Sequence, residues 1–368
     1  MPSSDLPKIE NLKVEDEYQT YKLGNFKLKS GGEIPDAFIA YKTLGDPSLP
    51  AIIYPTWYSG LISDNLWLTG QDKTLNPSNF YIIIPALFGN SQSSSPSNTP
   101  NLRPFPEVLF YDNVRAQYEL VTKHLGIKHA RAVLGWSMGA GQTFQWATQY
   151  SDFMDIVVPF CGSAKTSLHN QVFLEGVKSA LYAAIGTSSA GISKLDLKTS
   201  QSGGRISFTS DTREVGLKAL ARVYAGWGFS QAFYREKLYE KAPTLGFKNL
   251  DDFLVNFWED WALSKDPENM LVMAHTWQAG DCSQQEPYNG DFKKAMEGIK
   301  AKALVLPAKT DLYFPPEDSE IEVQNMKPGV GTLKVFPSIW GHWAGGPGQS
   351  TDDVRWLDNH LREFFSDN

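Results

Sequence analysis

Short runs of consecutive apolar residues recur along the first half of the chain. Residues 51–54, 80–85 and 155–160 are apolar almost throughout, which is typical of parallel strands that are buried on both faces. Ahead of them, residues 22–29 and 36–44 alternate between apolar and polar positions, so we expect two exposed strands that form a hairpin. The pattern therefore predicts a mostly parallel sheet preceded by a hairpin.

Helical patterns separate these strands and then replace them. Residues 112–125 are amphipathic, which predicts one helix between the second and third apolar runs. From 165 to 300 the pattern is mostly helical, with a polar interruption at 187–205. Strand character returns at 303–307 and 332–336, so the sheet is predicted to resume there.

We therefore expect an α/β fold, in which helices flank a mostly parallel sheet and a helical cap is inserted before the last strands. The predicted division is a first core segment at 1–164, the cap at 165–300 and a second core segment at 301–368, which ends in a helix at 352–365.

Composition narrows the class of protein. The 368 residues are 42% hydrophobic and carry a net charge of −7, without a basic stripe, which argues against nucleic-acid binding. No apolar run approaches the roughly 20 residues that a membrane span needs. The first residues lack a signal-peptide pattern, and Cys161 and Cys282 are far apart. We expect a cytoplasmic protein with two buried thiols, and a disulfide is the alternative.

The stretch that carries chemistry follows a short β-prone run at 132–134. Residues 135–139 read Gly-Trp-Ser-Met-Gly, a G-x-S-x-G motif, and a helical pattern comes next. A serine between strand and helix lies on a turn too tight for side chains at its flanks, which explains both glycines. The turn exposes the hydroxyl of Ser137 at the helix N-terminus, where the Met138 amide favours a developing anion.

Two other glycine-rich motifs fail on inspection. A phosphate-binding P-loop needs Gly-Lys-Ser/Thr, but residues 141–143 read Gly-Gln-Thr. A dinucleotide fingerprint needs a glycine where Phe144 stands. The motif is therefore interpreted as a nucleophile elbow.

A nucleophilic serine needs a histidine and an acid, which follow it in this order along an α/β chain. Among the histidines after Ser137, His342 alone lies in a loop just after a predicted strand, where reacting groups gather. Asp311 follows the predicted strand at 303–307 directly and is the preferred acid, whereas Asp281 and Asp291 precede that strand.

The second oxyanion donor is expected in the loop after the strand at 51–54. The backbone amide of Trp57 is the best candidate there, paired with that of Met138. A core aromatic role for the Trp57 ring is compatible with this, because only its N–H is needed.

Several further motifs occur together in one known family. They are Phe88-Gly89-Asn90, Asp112-Asn113-Val114-Arg115-Ala116-Gln117, Gln145-Trp146-Ala147, Pro159-Phe160-Cys161-Gly162-Ser163-Ala164-Lys165, Gly216-Leu217 with Ala221-Arg222, Thr310-Asp311 and Gly341-His342. With these motifs the chain resembles the homoserine O-acetyltransferase-like branch of the α/β-hydrolase superfamily, from about residue 41 onward. The resemblance implies an α/β-hydrolase fold, the triad Ser137, Asp311 and His342, and a serine-rich loop at 91–97 that borders the active site.

The chain departs from that branch near the substrate. Family members that acetylate homoserine have an acid after the catalytic histidine, where this chain has Trp343, and Arg222 matches their substrate-binding arginine. The tyrosine near that arginine is replaced around Trp227. We therefore expect Arg222, Trp227 and Trp343 to contact a substrate that is bulkier or less polar than homoserine.

The resulting hypothesis is a serine acyl-transfer enzyme acting on a small molecule through an acyl-serine. No permanent cofactor or metal is expected, and acetyl-CoA or another acyl donor would be a co-substrate of a transferase. An ester or thioester hydrolase shares the same triad and remains the alternative, and a non-catalytic binding module is the third reading. The resemblance also makes a homodimer through the cap an expectation.

Overall fold

The computed structural model describes residues 17–186 and 208–368. Within these residues eight strands form one sheet. The strands are β1 (Gln19–Lys27), β2 (Glu33–Leu44), β3 (Ala51–Ile53), β4 (Tyr81–Pro85), β5 (Ala130–Trp136), β6 (Met154–Phe160), β7 (Lys302–Val305) and β8 (Gly331–Leu333).

The order across the sheet is β1-β2-β4-β3-β5-β6-β7-β8. β1 and β2 form the expected antiparallel hairpin, and β2 pairs antiparallel with β4. All remaining neighbours pair parallel. The prediction of a mostly parallel sheet is therefore confirmed.

Helices flank the sheet or lie beyond the carboxyl ends of its strands. In the described part of the chain they are α1 (Phe110–Glu119), α2 (Met138–Gln149), α3 (Leu168–Ala184), α4 (Ser210–Gly228), α5 (Gln231–Arg235), α6 (Leu238–Lys241), α7 (Leu250–Phe253), α8 (Asp260–Leu263), α9 (Pro267–Gln278), α10 (Phe292–Glu297), α11 (Pro316–Gln324) and α12 (Thr351–Asp367). π-Helical turns at Leu120–His124 and Leu254–Glu259 extend α1 and join α7 to α8. The polar interruption predicted at 187–205 lies outside the described residues.

Central strands are buried on both faces, which explains their continuous apolar runs. In β5, Leu134 belongs to the core on the cap side, and its neighbour Val133 packs on the opposite face with Phe144 of α2. All three side chains have no exposed surface. Because both faces are covered, the buried positions 132–136 of this strand carry no polar residue.

The segment between β6 and β7 packs in two different places. Residues from α3 to α9 pack above the strand ends, where Tyr224 and Trp258 share a core with Trp343. Beyond Gly280, the chain turns back and packs Cys282 and Met296 against the side of the sheet. The division at residue 300 stays a prediction, and this packing favours an earlier end of the cap.

Two backbone connections join the cap to the core side by side. The Thr166 N–H donates to the Gly280 carbonyl at 2.8 Å, and the Cys282 N–H donates to the Ala164 carbonyl at 3.0 Å. The Ala164 N–H donates in turn to Oε1 of Glu322 on α11 at 2.6 Å. Complete burial raises the pKa of Glu322 to about 8, because a buried carboxylate loses the hydration of its charge. The protonated form of this carboxyl group is therefore favoured at the place where the cap meets the core.

Both cysteines are buried thiols, and burial raises the pKa of Cys282 well above its ordinary value. In the described ranges, every helix is too short or too polar to traverse a lipid bilayer.

Candidate active site

The sheet reverses its winding direction beside β3. The chain passes from β3 to β4 on one side and then crosses to β5 on the other side. Loops that leave β3 and β5 therefore diverge and open a crevice at the carboxyl ends of the strands. Ser137 follows β5 and Trp57 follows β3, so both lie at this crevice.

The elbow geometry explains the two glycines of the motif. Ser137 has φ 58° and ψ −123°, a backbone conformation that non-glycine residues rarely adopt. A Cβ atom on Gly135 would lie 2.4 Å from the backbone of Gly139, and one on Gly139 would lie 3.0 Å from the Pro55 carbonyl oxygen. A side chain at Gly135 would therefore collide with the start of the helix, and one at Gly139 would press on the loop after β3.

The structure brings together the three predicted side chains. Ser137 Oγ lies 2.9 Å from Nε2 of His342, and Nδ1 of His342 lies 2.8 Å from Oδ2 of Asp311. Each residue is at most 4% exposed. A hydroxyl, an imidazole and a carboxylate in this order form a relay that can move the hydroxyl proton to Nε2.

Backbone groups hold the acid in place. Oδ1 of Asp311 accepts hydrogen bonds from the N–H groups of Tyr313 and Phe314 at 2.8 and 3.2 Å, which leaves Oδ2 for the imidazole. The alternative acids have other partners, because Asp281 pairs with Lys165 and Asp291 caps α10. The preference for Asp311 agrees with this geometry.

Aromatic rings fix the imidazole plane, a feature that the sequence did not reveal. The Trp136 ring stacks on His342 at 4.7 Å between centroids, and its Nε1–H donates to the His342 carbonyl at 3.2 Å. The Tyr313 ring meets the imidazole edge-on at 4.6 Å. The available signal was position, since Trp136 lies inside the motif and Tyr313 lies two residues beyond the acid.

Both predicted oxyanion donors lie beside the serine. Met138 is the first residue of α2, and Trp57 lines the same cavity as Ser137. Neither amide donates a hydrogen bond to any group in the described ranges. Buried N–H groups without acceptors are rare in proteins, so these two donors are available to an oxygen anion.

The serine-rich loop at 91–97 contacts the segment that follows Trp57. The side-chain oxygen of Gln92 accepts from the Ile62 N–H at 2.9 Å, and Asn90 donates to the Gly60 carbonyl at 3.1 Å. No residue of this loop is among those that line the cavity at Ser137 in the described structure. The loop therefore braces the segment that follows Trp57, which corrects the expectation that it borders the site.

A cavity of about 200 Å³ opens above Ser137. The core supplies its floor, with His342 and Trp136 beside the serine. The cap supplies the roof, which consists of three aromatic residues and one lysine. They are Tyr224, Phe257, Trp261 and Lys265.

One of the three predicted substrate contacts reaches this cavity. Trp343 forms part of its wall. Arg222 does not line it and pairs with Glu259 at 2.6 Å, with a side chain that is 45% exposed. Trp227 packs against His169 and Phe173. Helical phase explains the correction for Arg222, because two residues along α4 place it on the side opposite Tyr224. Trp227 lies one turn beyond Tyr224, where its ring packs on Phe173 of α3 and outside the cavity wall.

Burial shapes the electrostatics of the cavity. Desolvation raises the pKa of Tyr224, whose ring stacks on Tyr58 at 5.7 Å, so both phenols stay neutral and serve as apolar walls. The same effect lowers the pKa of Lys265, opposed by the negative charge of Asp64. The site thus combines a nucleophile, a base, two free amides and a cavity lined mainly by aromatic rings, which suits attack on a carbonyl carbon.

No family model matches the chain. Curated relatives do: a probable esterase of Corynebacterium glutamicum is 32% identical over 362 residues, 96% of this chain and 97% of that protein. An ethyl acetate hydrolase of Pseudomonas veronii is 33% identical over 357 residues, 95% of each. Homoserine O-acetyltransferases are also among the relatives, at 23% to 26% identity.

Solved structures agree with these relatives. An acetylester hydrolase from Corynebacterium glutamicum superposes with a TM-score of 0.85 at 31% identity, covering 96% of this chain and 97% of that one. The predicted α/β-hydrolase fold and the resemblance to the homoserine O-acetyltransferase-like branch are thereby confirmed. The chain belongs to the α/β-hydrolase superfamily, in the group that contains these esterases and transferases, and it is an enzyme of the acyltransferase or carboxylic-ester hydrolase class.

Proposed function

We propose that the protein hydrolyses esters of short-chain carboxylic acids through an acyl-serine intermediate. The observation that carries the proposal is the hydrogen-bonded series Ser137, His342 and Asp311 at the floor of an aromatic cavity of about 200 Å³. In this proposal Ser137 is the nucleophile, His342 the general base and Asp311 the group that orients the imidazole.

The first half of the reaction acylates the serine. Ser137 Oγ attacks the ester carbonyl carbon while its proton passes to Nε2 of His342. The amides of Trp57 and Met138 donate to the oxygen that becomes negative. The carbon–oxygen bond to the alcohol then breaks, and the imidazolium returns the proton to the departing oxygen.

The second half repeats these steps with water. A water molecule gives a proton to His342 and attacks the acyl carbon, and the bond to Ser137 Oγ breaks as the serine regains its proton. The products are a carboxylic acid and an alcohol, and no cofactor enters the balance.

Cavity size supports a short acyl group. About 200 Å³ lies below the volume of most ligand sites, which usually span roughly 300–1,000 Å³. The aromatic roof favours apolar groups, as expected from the sequence, whereas the volume argues against the bulkier substrate that was also expected. The names of the relatives, an acetylester hydrolase and an ethyl acetate hydrolase, support the same direction.

Acyl transfer to an alcohol is the second candidate, favoured by the homoserine O-acetyltransferases among the relatives. It uses the same acyl-serine, with acetyl-CoA or another donor and an alcohol in place of water. Homoserine is a poor acceptor in this proposal, because Trp343 stands where an acid would hold its ammonium group, and Arg222 already pairs with Glu259.

One assay separates these candidates. We would measure kcat/KM for acetate, butyrate and octanoate esters of one alcohol, and in parallel the acetylation of L-homoserine by acetyl-CoA. We expect acetate to be the best ester and activity to fall with acyl length. A kcat/KM for homoserine at or above about 10⁴ M⁻¹s⁻¹ would instead identify a transferase.

A fluorophosphonate probe tests the third reading. A hydrolase with this relay labels Ser137 and loses activity, and Ser137→Ala is the unlabelled control. Absence of both labelling and turnover would leave only a binding module.

A further inference from the structure

Lys265 is the one cation among the residues that line the cavity in the described structure. It follows α8 and precedes α9, and its backbone is fixed at both ends. Its N–H donates to the Ala262 carbonyl at 2.9 Å, and its carbonyl accepts from Nη2 of Arg213 at 2.6 Å. The half-buried side chain therefore leaves from an anchored backbone toward the aromatic space.

The ammonium group of Lys265 is not used by the fold. Within residues 17–186 and 208–368 it forms no hydrogen bond and no close ion pair. The negative charge of Asp64 acts on this ammonium, and Asp64 also lines the cavity. Oδ2 of Asp64 already accepts a hydrogen bond from the Leu61 N–H at 2.8 Å. A half-buried ammonium whose three donors the protein leaves open can donate them to an anionic group of a bound substrate.

The position of Asp64 indicates which end of a substrate meets this lysine. Asp64 is exposed, whereas Ser137 is 3% exposed. The pair of Lys265 and Asp64 therefore lies toward the mouth of the cavity and the serine at its floor. We infer a binding mode in which the carbonyl carbon of the ester lies at Ser137, the short acyl group fills the inner space, and the alcohol part extends toward the mouth.

We propose that Lys265 is a specificity-determining residue that binds a carboxylate carried by the alcohol part of the ester. This inference rests on the proposed hydrolysis at Ser137 and adds the chemical class of the leaving group. The ammonium donates charge-assisted hydrogen bonds to the carboxylate, and Asp64 moderates the attraction because its negative charge repels the same group.

The test uses two acetate esters with the same number and branching of non-hydrogen atoms, β-acetoxypropanoate and isoamyl acetate, whose alcohol parts differ in charge. Both are assayed with the wild-type protein, Lys265→Met, Lys265→Arg and Asp64→Asn. Lys241→Met, which removes an exposed cap lysine outside the cavity, is the matched control.

We expect Lys265→Met to lower kcat/KM for β-acetoxypropanoate about tenfold or more, mainly through KM, because a charge-assisted hydrogen bond is lost. Isoamyl acetate should stay within about twofold. Lys265→Arg should retain most of the preference for the charged ester, and Asp64→Asn should increase it. Lys241→Met should change neither ester.

Equal losses for the two esters in Lys265→Met would overturn the inference, because they indicate a structural role for the lysine. Unchanged kcat/KM for both esters in Lys265→Met would overturn it as well, because the lysine would then not contribute to binding the charged ester. Both results leave hydrolysis at Ser137 intact. A wild-type protein that hydrolyses neither ester would overturn the proposed function and this inference together.

Discussion

The floor and the roof of the cavity are built by different forces. Directed hydrogen bonds hold the floor: His342 contacts Ser137 and Asp311, and Asp311 accepts two further backbone N–H groups. Ring packing holds the roof, where Trp261 lies 5.1 Å from Tyr224 and 5.7 Å from Trp258 between centroids.

This difference separates two tasks. Hydrogen bonds have fixed directions and short ranges, so the floor tolerates little change and serves one kind of chemistry. Aromatic packing depends on area and shape, so a roof side chain can change while the fold persists. The floor should therefore control kcat and the roof should control KM.

The largest effect should come from Ser137→Ala, which removes the nucleophile. We expect kcat to fall on the order of 10⁶-fold, with only binding and the oxyanion donors left to accelerate the reaction. Single-turnover ester assays measure the loss, and a circular dichroism melt verifies the fold. More than a tenth of the wild-type activity in a folded variant would remove Ser137 from this role.

Asp311→Asn should have the next largest effect, about 10⁴-fold in kcat. The Asn oxygen can still accept from Tyr313 and Phe314, so the loop is kept. Its amide donates to Nδ1 of His342, which places the imidazole proton on Nε2 and prevents that nitrogen from acting as a base. Asp281→Asn is the control and should stay near the wild-type kcat. Similar losses in both variants would contradict the assignment.

Two cap tryptophans test the roof. Trp261 lines the cavity and Trp227 does not. Trp261→Ala should raise KM about tenfold with little change in kcat, because about 1–2 kcal/mol of apolar contact is lost. Trp227→Ala should stay within about twofold in both parameters. Steady-state kinetics on one acetate ester measures both variants. A larger increase in KM for Trp227→Ala than for Trp261→Ala would mean that the cavity wall is assigned wrongly.

Glu322→Gln should affect activity least, because Glu322 lies where the cap meets the core and does not line the cavity. The pKa of Glu322 is about 8, above the ordinary 4.5, so the folded protein holds a proton that the unfolded chain releases. Stability from this group is therefore complete below about pH 4.5 and falls as the pH rises toward 8. Gln keeps an oxygen acceptor for the Ala164 N–H and does not ionise.

Urea unfolding at pH 5 and pH 8 measures this effect. The variant should be more stable than the wild type at pH 8, by at least the ~1.4 kcal/mol that one pKa unit represents, and the difference should shrink at pH 5. A constant difference between the two pH values would show that Glu322 does not titrate in this range.

Local patterns predicted much of the core and the candidate residues of the floor. The apolar runs found β3, β4 and β6, and the glycines at 135 and 139 located the elbow, because short-range geometry requires them. The acid and the histidine were predicted from their positions after strands, which the parallel sheet brings to one edge.

The roof required the folded chain. The family resemblance of a short motif predicts Arg222 as a substrate contact, yet α4 turns it toward Glu259 and away from the cavity. Lys265 had no motif at all, and its place above the serine depends on how residues 260–278 pack across the cap.

Sequence alone thus determined the strands, the elbow and the order of the three relay residues, since each follows from local steric rules or from chain direction. Tertiary structure alone decided which cap side chains line the cavity at Ser137, that Trp136 stacks on His342, and that the loop at 91–97 contacts Ile62 and does not line the cavity. These features depend on helix phase and on contacts between residues far apart in the chain, which no local pattern records.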